Sequence, residues 1–216
     1  MPRRIIPFAP GSTYHIYNRG NNRQAIFFQS ENYLYFLKGV RRYLLPVVDV
    51  IAYCLMPTHY HLLVMVKDLK DQTSEVLLDP EQTSEVLKTS EVSVSKAMMR
   101  LSVSYTKAIN KRFSRTGSLF QGAFRAEHIS NSKHLLQLCR YIHVNPVKDG
   151  LVSDPGDWPY SNYLEWIVER DGKLIDRAFV QSQFSSVAEY HDFVFDYLRS
   201  RKLPADIQLY LNSLED

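Results

Sequence analysis

Cysteine is scarce in this 216-residue sequence, and so are long apolar runs. The only two cysteines, Cys54 and Cys139, each lie inside an apolar stretch. That placement suits reduced core thiols and argues against a disulfide framework or a cysteine-based zinc site. No apolar run approaches the length needed to cross a bilayer, which argues against a membrane partner. The segment Met1-Pro2-Arg3-Arg4-Ile5-Ile6-Pro7 is too short in apolar residues and too interrupted by proline to serve as a signal peptide, so a cytoplasmic protein is expected. The apolar and charged fractions, 45% and 23%, are those of an ordinary globular chain, long enough to bury a substantial core.

The net charge of +3 conceals an uneven distribution. Counting Lys, Arg, Asp and Glu gives +6 for residues 1–45 and +5 for 111–150, against −4 for 67–92 and −6 for 151–216. A modest overall charge therefore coexists with segments able to build a phosphate-binding surface, although either segment alone is also compatible with plain solvated charge.

The most informative stretch is Met56-Pro57-Thr58-His59-Tyr60-His61, at the head of the apolar run Leu62 to Val66. In a β-strand, residues i and i+2 share a face, so His59 and His61 stand side by side and Tyr60 points away. Two such imidazoles can hold a divalent metal, although an isolated His-x-His is more often a pair of surface or core histidines.

Around it, residues 13–17 alternate as a strand, followed by the basic, amide-rich turn Asn18 to Arg23. A helix is expected over 31–43, a strand over 47–55, and then the histidine strand as its antiparallel neighbour. Residues 68–92 carry three copies of Thr-Ser-Glu-Val at unequal spacing, starting at Thr73, Thr83 and Thr89, which reads as an acidic low-complexity loop. A helix over 93–113 then places Met98, Leu101, Tyr105 and Ala108 on one apolar stripe, which makes Tyr105 a core residue. The following loop, 110–122, interleaves Lys111, Arg112 and Arg115 with aromatics, a composition suited to nucleic-acid backbones and stacked bases. After a strand over 124–129, residues 132–146 form a helix that Pro146 is expected to stop. Its apolar stripe is Leu135, Leu138, Cys139 and Ile142, and a separate polar stripe holds His134, Gln137, Tyr141 and Asn145. Tyr141 and Asn145 lie one turn apart and can address one site, or serve as an amphipathic rim residue and a helix C-terminal residue.

This order predicts an α+β fold, an antiparallel sheet of four to five strands with helices packed on one face in a split β-α-β arrangement of the ferredoxin-like or RRM-like kind. Residues 1–165 form the expected domain and 166–216 a helical C-terminal tail.

Taken together, Tyr14-His15-Ile16-Tyr17-Asn18-Arg19-Gly20, Met56-Pro57-Thr58-His59-Tyr60-His61, Gly117-Ser118-Leu119-Phe120-Gln121-Gly122, Tyr141-Ile142-His143-Val144-Asn145-Pro146-Val147 and Trp158-Pro159-Tyr160-Ser161 occur in an order that resembles the HUH single-strand tyrosine transposases. The likeness is to the REP-associated, IS200-like kind and covers roughly residues 10–165. It implies a DNA strand-transferring endonuclease acting on single-stranded or hairpin DNA, as a monomer or homodimer. It further implies Tyr141 as the nucleophile and His59, His61 and Asn145 as ligands of Mg²⁺ or Mn²⁺. Arg19, Lys111, Arg112, Arg115 and Arg125 are then the candidate DNA contacts. Ala123 departs from the family pattern, where arginine is common. A silent nucleic-acid-binding protein on the same sheet, and a metal-dependent hydrolase that uses water in place of Tyr141, are the alternative readings.

Overall fold

The computed structural model describes residues 7–68, 83–175, 177–200 and 203–215. Four strands, β1 (Thr13–Arg19), β2 (Val48–Met56), β3 (His59–Val66) and β4 (Arg125–Ile129), form one sheet in the order β2-β3-β1-β4 with every neighbour antiparallel. The helices are α1 (Ser30–Gly39), α2 (Thr83–Arg112), α3 (Ser132–Lys148), the single turn α4 (Tyr163–Trp166), α5 (Arg177–Gln183), α6 (Val187–Ser200) and α7 (Ala205–Glu215). The α+β class and the split β-α-β order are those expected from the sequence.

The expectation that helices cover one face is corrected: they cover both. On one face Tyr14, Ile16, Tyr60, Leu62 and Val64 pack against Tyr33 and Phe36 of α1 and Met98, Leu101 and Tyr105 of α2. On the other, Cys54, Met56 and Leu63 pack against Leu138, Tyr141 and Ile142 of α3, and Tyr190, Val194 and Leu211 of α6 and α7 complete the layer. The physical reason is visible in β2 and β3, whose nearly continuous apolar sequences leave no face fit for water. Residues of the expected tail are thus part of the second core rather than an appendage to it.

A bulge in β2 organises this second face. The β2–β3 register shifts between Val50 and Ala52, so Val50 belongs to the first core and both Ile51 and Ala52 to the second. The Ile51 carbonyl released there accepts from Asn162 Nδ2 and Trp166 Nε1, each at 3.0 Å. The outer edge of β2 is covered by the Trp158–Asn162 segment, through Leu55 N to Tyr160 O at 2.9 Å and Trp158 Nε1 to Leu55 O at 3.0 Å.

Two further expectations change. Helix α2 begins at Thr83, so the second and third Thr-Ser-Glu-Val copies are helical, while residues 69–82 lie outside the described residues. Between Pro80 and Gly117 the sequence has neither proline nor glycine, and a helix nucleated by the Val94-to-Ile109 stripe extends at little cost. Pro146 does not stop α3, which continues to Lys148. So near the helix end a proline forfeits one backbone bond, and the last turn still closes through Asp149 N to Asn145 O at 2.9 Å and Leu151 N to Pro146 O at 2.9 Å. Helices α1 and α2 meet at Gly39, where an added Cβ would fall 2.5 Å from Leu101 Cδ1.

Candidate functional site

The site lies where the start of β3, the end of β1 and α3 converge on the second face of the sheet. Strand alternation places His59 and His61 toward it and buries Tyr60 completely on the opposite side. Register adds β1, since Tyr17 pairs with His61 and Arg19 with His59, and directly opposed residues share a face. One turn of α3 separates Tyr141 from Asn145, and both are buried here. These side chains, with Arg23, Gln121, Arg125, Lys148 and Asp149, line a cavity of about 280 Å³. Its rim is basic, four cations against the single carboxylate of Asp149.

Each histidine has its Nδ1 engaged. His59 Nδ1 lies 3.0 Å from Thr58 Oγ1, and His61 Nδ1 lies 2.9 Å from His15 Nε2. Burial, with His15 and His59 adding to it, depresses the His61 pKa well below the usual imidazole range, and burial takes His15 down to about 3. Both rings are therefore neutral near pH 7. The rings of His61 and Tyr141 meet edge to face with centroids 6.0 Å apart, and Lys148 Nζ sits 4.8 Å from the Tyr141 centroid. Tyr17 is a second phenol in the cavity, its pKa raised mainly by burial and countered by a hydrogen bond with Arg125.

The wall beside Arg19 is built from the loop after α2. Gln121 N donates to Arg19 O at 2.9 Å, Asn18 Nδ2 to Gly122 O at 3.2 Å, and Arg19 Nε to Gln121 Oε1. Gly20 ends β1 where a side chain has no room, because an added Cβ would fall 2.0 Å from Gln24 O. Asn22 and Arg23 then take left-handed φ values of 54° and 56°, a costly geometry beside a cavity.

Behind the site, α3 is tied to the sheet through His143. Its Nε2 lies 2.9 Å from Asn162 Oδ1, which also accepts from Tyr53 N at 2.6 Å, and its Nδ1 lies 2.5 Å from the Tyr190 hydroxyl. An oxygen already bound to an amide N–H leaves His143 Nε2 as a donor, so Tyr190 donates to Nδ1. Burial lowers the His143 pKa to about 4.

No family model matches the chain. A Haemophilus influenzae protein assigned by name to the REP-associated tyrosine transposases is 28% identical over 115 residues, 53% of this chain and 58% of that protein. The chain thus aligns with little more than half the length of this curated relative. A solved structure of a REP-associated tyrosine transposase bound to a REP hairpin superposes with a TM-score of 0.51 at 18% identity, covering 82% of this chain and 98% of the other. The chain is similar to the REP-associated tyrosine transposases. At that identity the structural likeness speaks for the fold, and the residues of the cavity must speak for the chemistry.

Of the residues singled out from the sequence, Tyr141, His59, His61, Asn145, Arg19 and Arg125 meet at the cavity. Lys111, Arg112 and Arg115 do not line it. They sit at the end of α2 and just beyond, where Arg115 Nη2 donates to Gln24 Oε1 at 3.0 Å and its guanidinium lies 5.6 Å over the Phe28 ring. Ala123, at the position where the family commonly has arginine, does line the cavity, and Arg23 and Lys148 supply cations that the sequence reading passed over. Tyr105 is fully buried and donates to Ile26 O at 2.7 Å, a core role as expected.

Among the described residues, no group of three or more His, Cys, Asp or Glu side chains forms a ready metal cage. The donor set available is two imidazoles and an amide. That set suits a divalent cation, since imidazole nitrogen and amide oxygen are both divalent-metal ligands and, among the described residues, the buried Asn145 Nδ2 has no hydrogen-bond partner. Turning that amide over would present its oxygen in place of the orphaned nitrogen.

Proposed function

We propose that this chain is a metal-dependent single-strand DNA transposase that nicks and rejoins hairpin-forming repeat DNA through a phosphotyrosine intermediate. One observation carries the reading: the phenol of Tyr141, the paired imidazoles of His59 and His61 and the amide of Asn145 come from a helix and a strand, distant in sequence, to one basic cavity. The likeness to a REP-associated tyrosine transposase, and to a solved one bound to a REP hairpin, supports the same reading.

His59 Nε2, His61 Nε2 and Asn145 Oδ1 would hold Mg²⁺ or Mn²⁺. A cation held there would supply Lewis acidity toward the scissile phosphate and offset charge on its oxygens. The Arg19, Arg23, Arg125 and Lys148 side chains neutralise the flanking backbone and orient the strand. The Tyr141 oxygen attacks phosphorus, the bond to the 3′ oxygen breaks, and the phenolic proton is returned through solvent to that oxygen. A 5′-phosphotyrosine and a free 3′-hydroxyl result. Attack by a 3′-hydroxyl on the phosphotyrosine reverses the step, so rejoining needs no energy-carrying cofactor. Lys148, close to the Tyr141 ring, favours the phenolate formed when Tyr141 gives up its proton ahead of attack.

The test is incubation of the full chain with end-labelled hairpin DNA and Mn²⁺, followed by a denaturing gel. A labelled protein band that disappears in Tyr141→Phe is the expected result. Cleavage by Tyr141→Phe at the wild-type rate would identify a hydrolase using water. Binding without any cleavage would identify a silent DNA-binding protein.

A further inference from the structure

Strand transfer leaves a chain of buried contacts behind His61 without a role. His15 on β1 is fully buried, and its ring lies edge to edge with that of His61, centroids 5.0 Å apart and planes 20° from parallel. Its Nε2 lies 2.9 Å from His61 Nδ1, and its Nδ1 lies 2.7 Å from the hydroxyl of Tyr210 on α7. The tyrosine is 195 residues away in sequence and is delivered by the packing of Ile207 and Leu211 in the second core.

A hydrogen bond between two imidazole nitrogens holds one proton, so one ring must donate and the other accept. A metal ligand needs the lone pair of the nitrogen it offers, and the tautomer is set by what the other nitrogen does. If His61 donates from Nδ1, its Nε2 keeps the lone pair. His15 then accepts at Nε2 and must carry its own proton on Nδ1, which points at the Tyr210 oxygen. The three groups therefore form a directional chain: His61 Nδ1–H to His15 Nε2, and His15 Nδ1–H to Tyr210 Oη. Each link has an acceptor of the right kind at hydrogen-bonding distance.

Resting on the reading of His59 and His61 as metal ligands, we propose that His15 and Tyr210 are positioning residues that lock His61 in the tautomer competent to bind a divalent cation. The C-terminal helix thereby becomes part of the site's support, although none of its described side chains lines the cavity.

The experiment uses the full chain without DNA and measures Mn²⁺ binding by calorimetry, together with the imidazole ¹⁵N spectrum of the metal-free protein. His61 is expected to be protonated on Nδ1. His15→Leu should bind Mn²⁺ about 10- to 100-fold more weakly, the usual range for loss of an outer-shell partner. His15→Gln, which retains an acceptor, should recover part of that loss, and Tyr210→Phe, which removes only the hydroxyl, should weaken binding several-fold. Hairpin affinity in EDTA should be unchanged in all three. A wild-type spectrum with His61 protonated on Nε2 overturns the proposal without need of any variant. So does wild-type Mn²⁺ affinity in folded Tyr210→Phe and His15→Gln. The underlying metal reading fails separately, if His59→Ala and His61→Ala bind Mn²⁺ as tightly as wild type.

Discussion

Replacing Asn162 with alanine tests how the bulged edge of the sheet holds the tyrosine helix. The side chain has no solvent exposure and makes three hydrogen bonds, accepting from Tyr53 N at 2.6 Å and His143 Nε2 at 2.9 Å and donating to Ile51 O at 3.0 Å. In the variant the Ile51 carbonyl keeps Trp166 Nε1 as a partner, but the Tyr53 amide and the His143 ring are left as buried donors with nothing to bind. A buried donor without an acceptor costs about 1–3 kcal/mol, so two of them should destabilise the fold by about 2–6 kcal/mol. Against a total of about 5–15 kcal/mol this is a large fraction, yet the chain should still fold. Urea titration followed by tryptophan fluorescence reads the change, because Trp166 shares the Ile51 carbonyl with Asn162. Asn131→Ala is the comparison at the start of the same helix. It removes the N-cap oxygen that accepts from Lys133 N at 2.8 Å on the exposed surface, and should cost about 1 kcal/mol. A loss below about 1 kcal/mol for Asn162→Ala, with an unchanged denaturant slope, would show that the amide does not organise this edge.

Four other perturbations separate the roles assigned above. Tyr17→Phe and Tyr105→Phe should both form the covalent DNA adduct, the second at a cost of about 1 kcal/mol for its lost bond to Ile26 O, measured by urea titration; an adduct missing in either folded variant would displace Tyr141 as nucleophile. Lys148→Met should slow adduct formation by about tenfold or more, as expected when a cation that favours the phenolate is removed, and a single-turnover gel assay that finds an unchanged rate would rule out that role. Ending the chain after residue 186 removes Tyr190, Val194, Tyr197, Ile207 and Leu211 from the second core. At about 1.5–3 kcal/mol per buried side chain this matches the stability of a whole domain, so the truncated chain should lose its cooperative thermal transition. A cooperative melt like that of the full chain would make the tail an independent unit.

What the sequence by itself determined is what local periodicity carries. A two-residue repeat is enough to put His59 and His61 on one face with Tyr60 in the opposite core, and a helical repeat is enough to separate Tyr141 and Asn145 from the apolar stripe and to commit Tyr105 to packing. The same logic stops at the boundary of each element. Thr83 to Val92 reads as an acidic loop because its own composition is weakly helical, and it is helical because it continues the amphipathic segment that follows. Only the tertiary structure decided which faces meet. The pairing of Tyr17 with His61 brings His15, Tyr17 and Arg19 to the histidine side, whereas a slip of one residue would have turned all three away. The basic residues Lys111, Arg112 and Arg115 share a composition with Arg19 and Arg125, yet the path of the chain after α2 takes them away from the cavity. Tyr210 reaches His15 because burial of Ile207 and Leu211 fixes the seating of α7, a contact across 195 residues that no local pattern encodes.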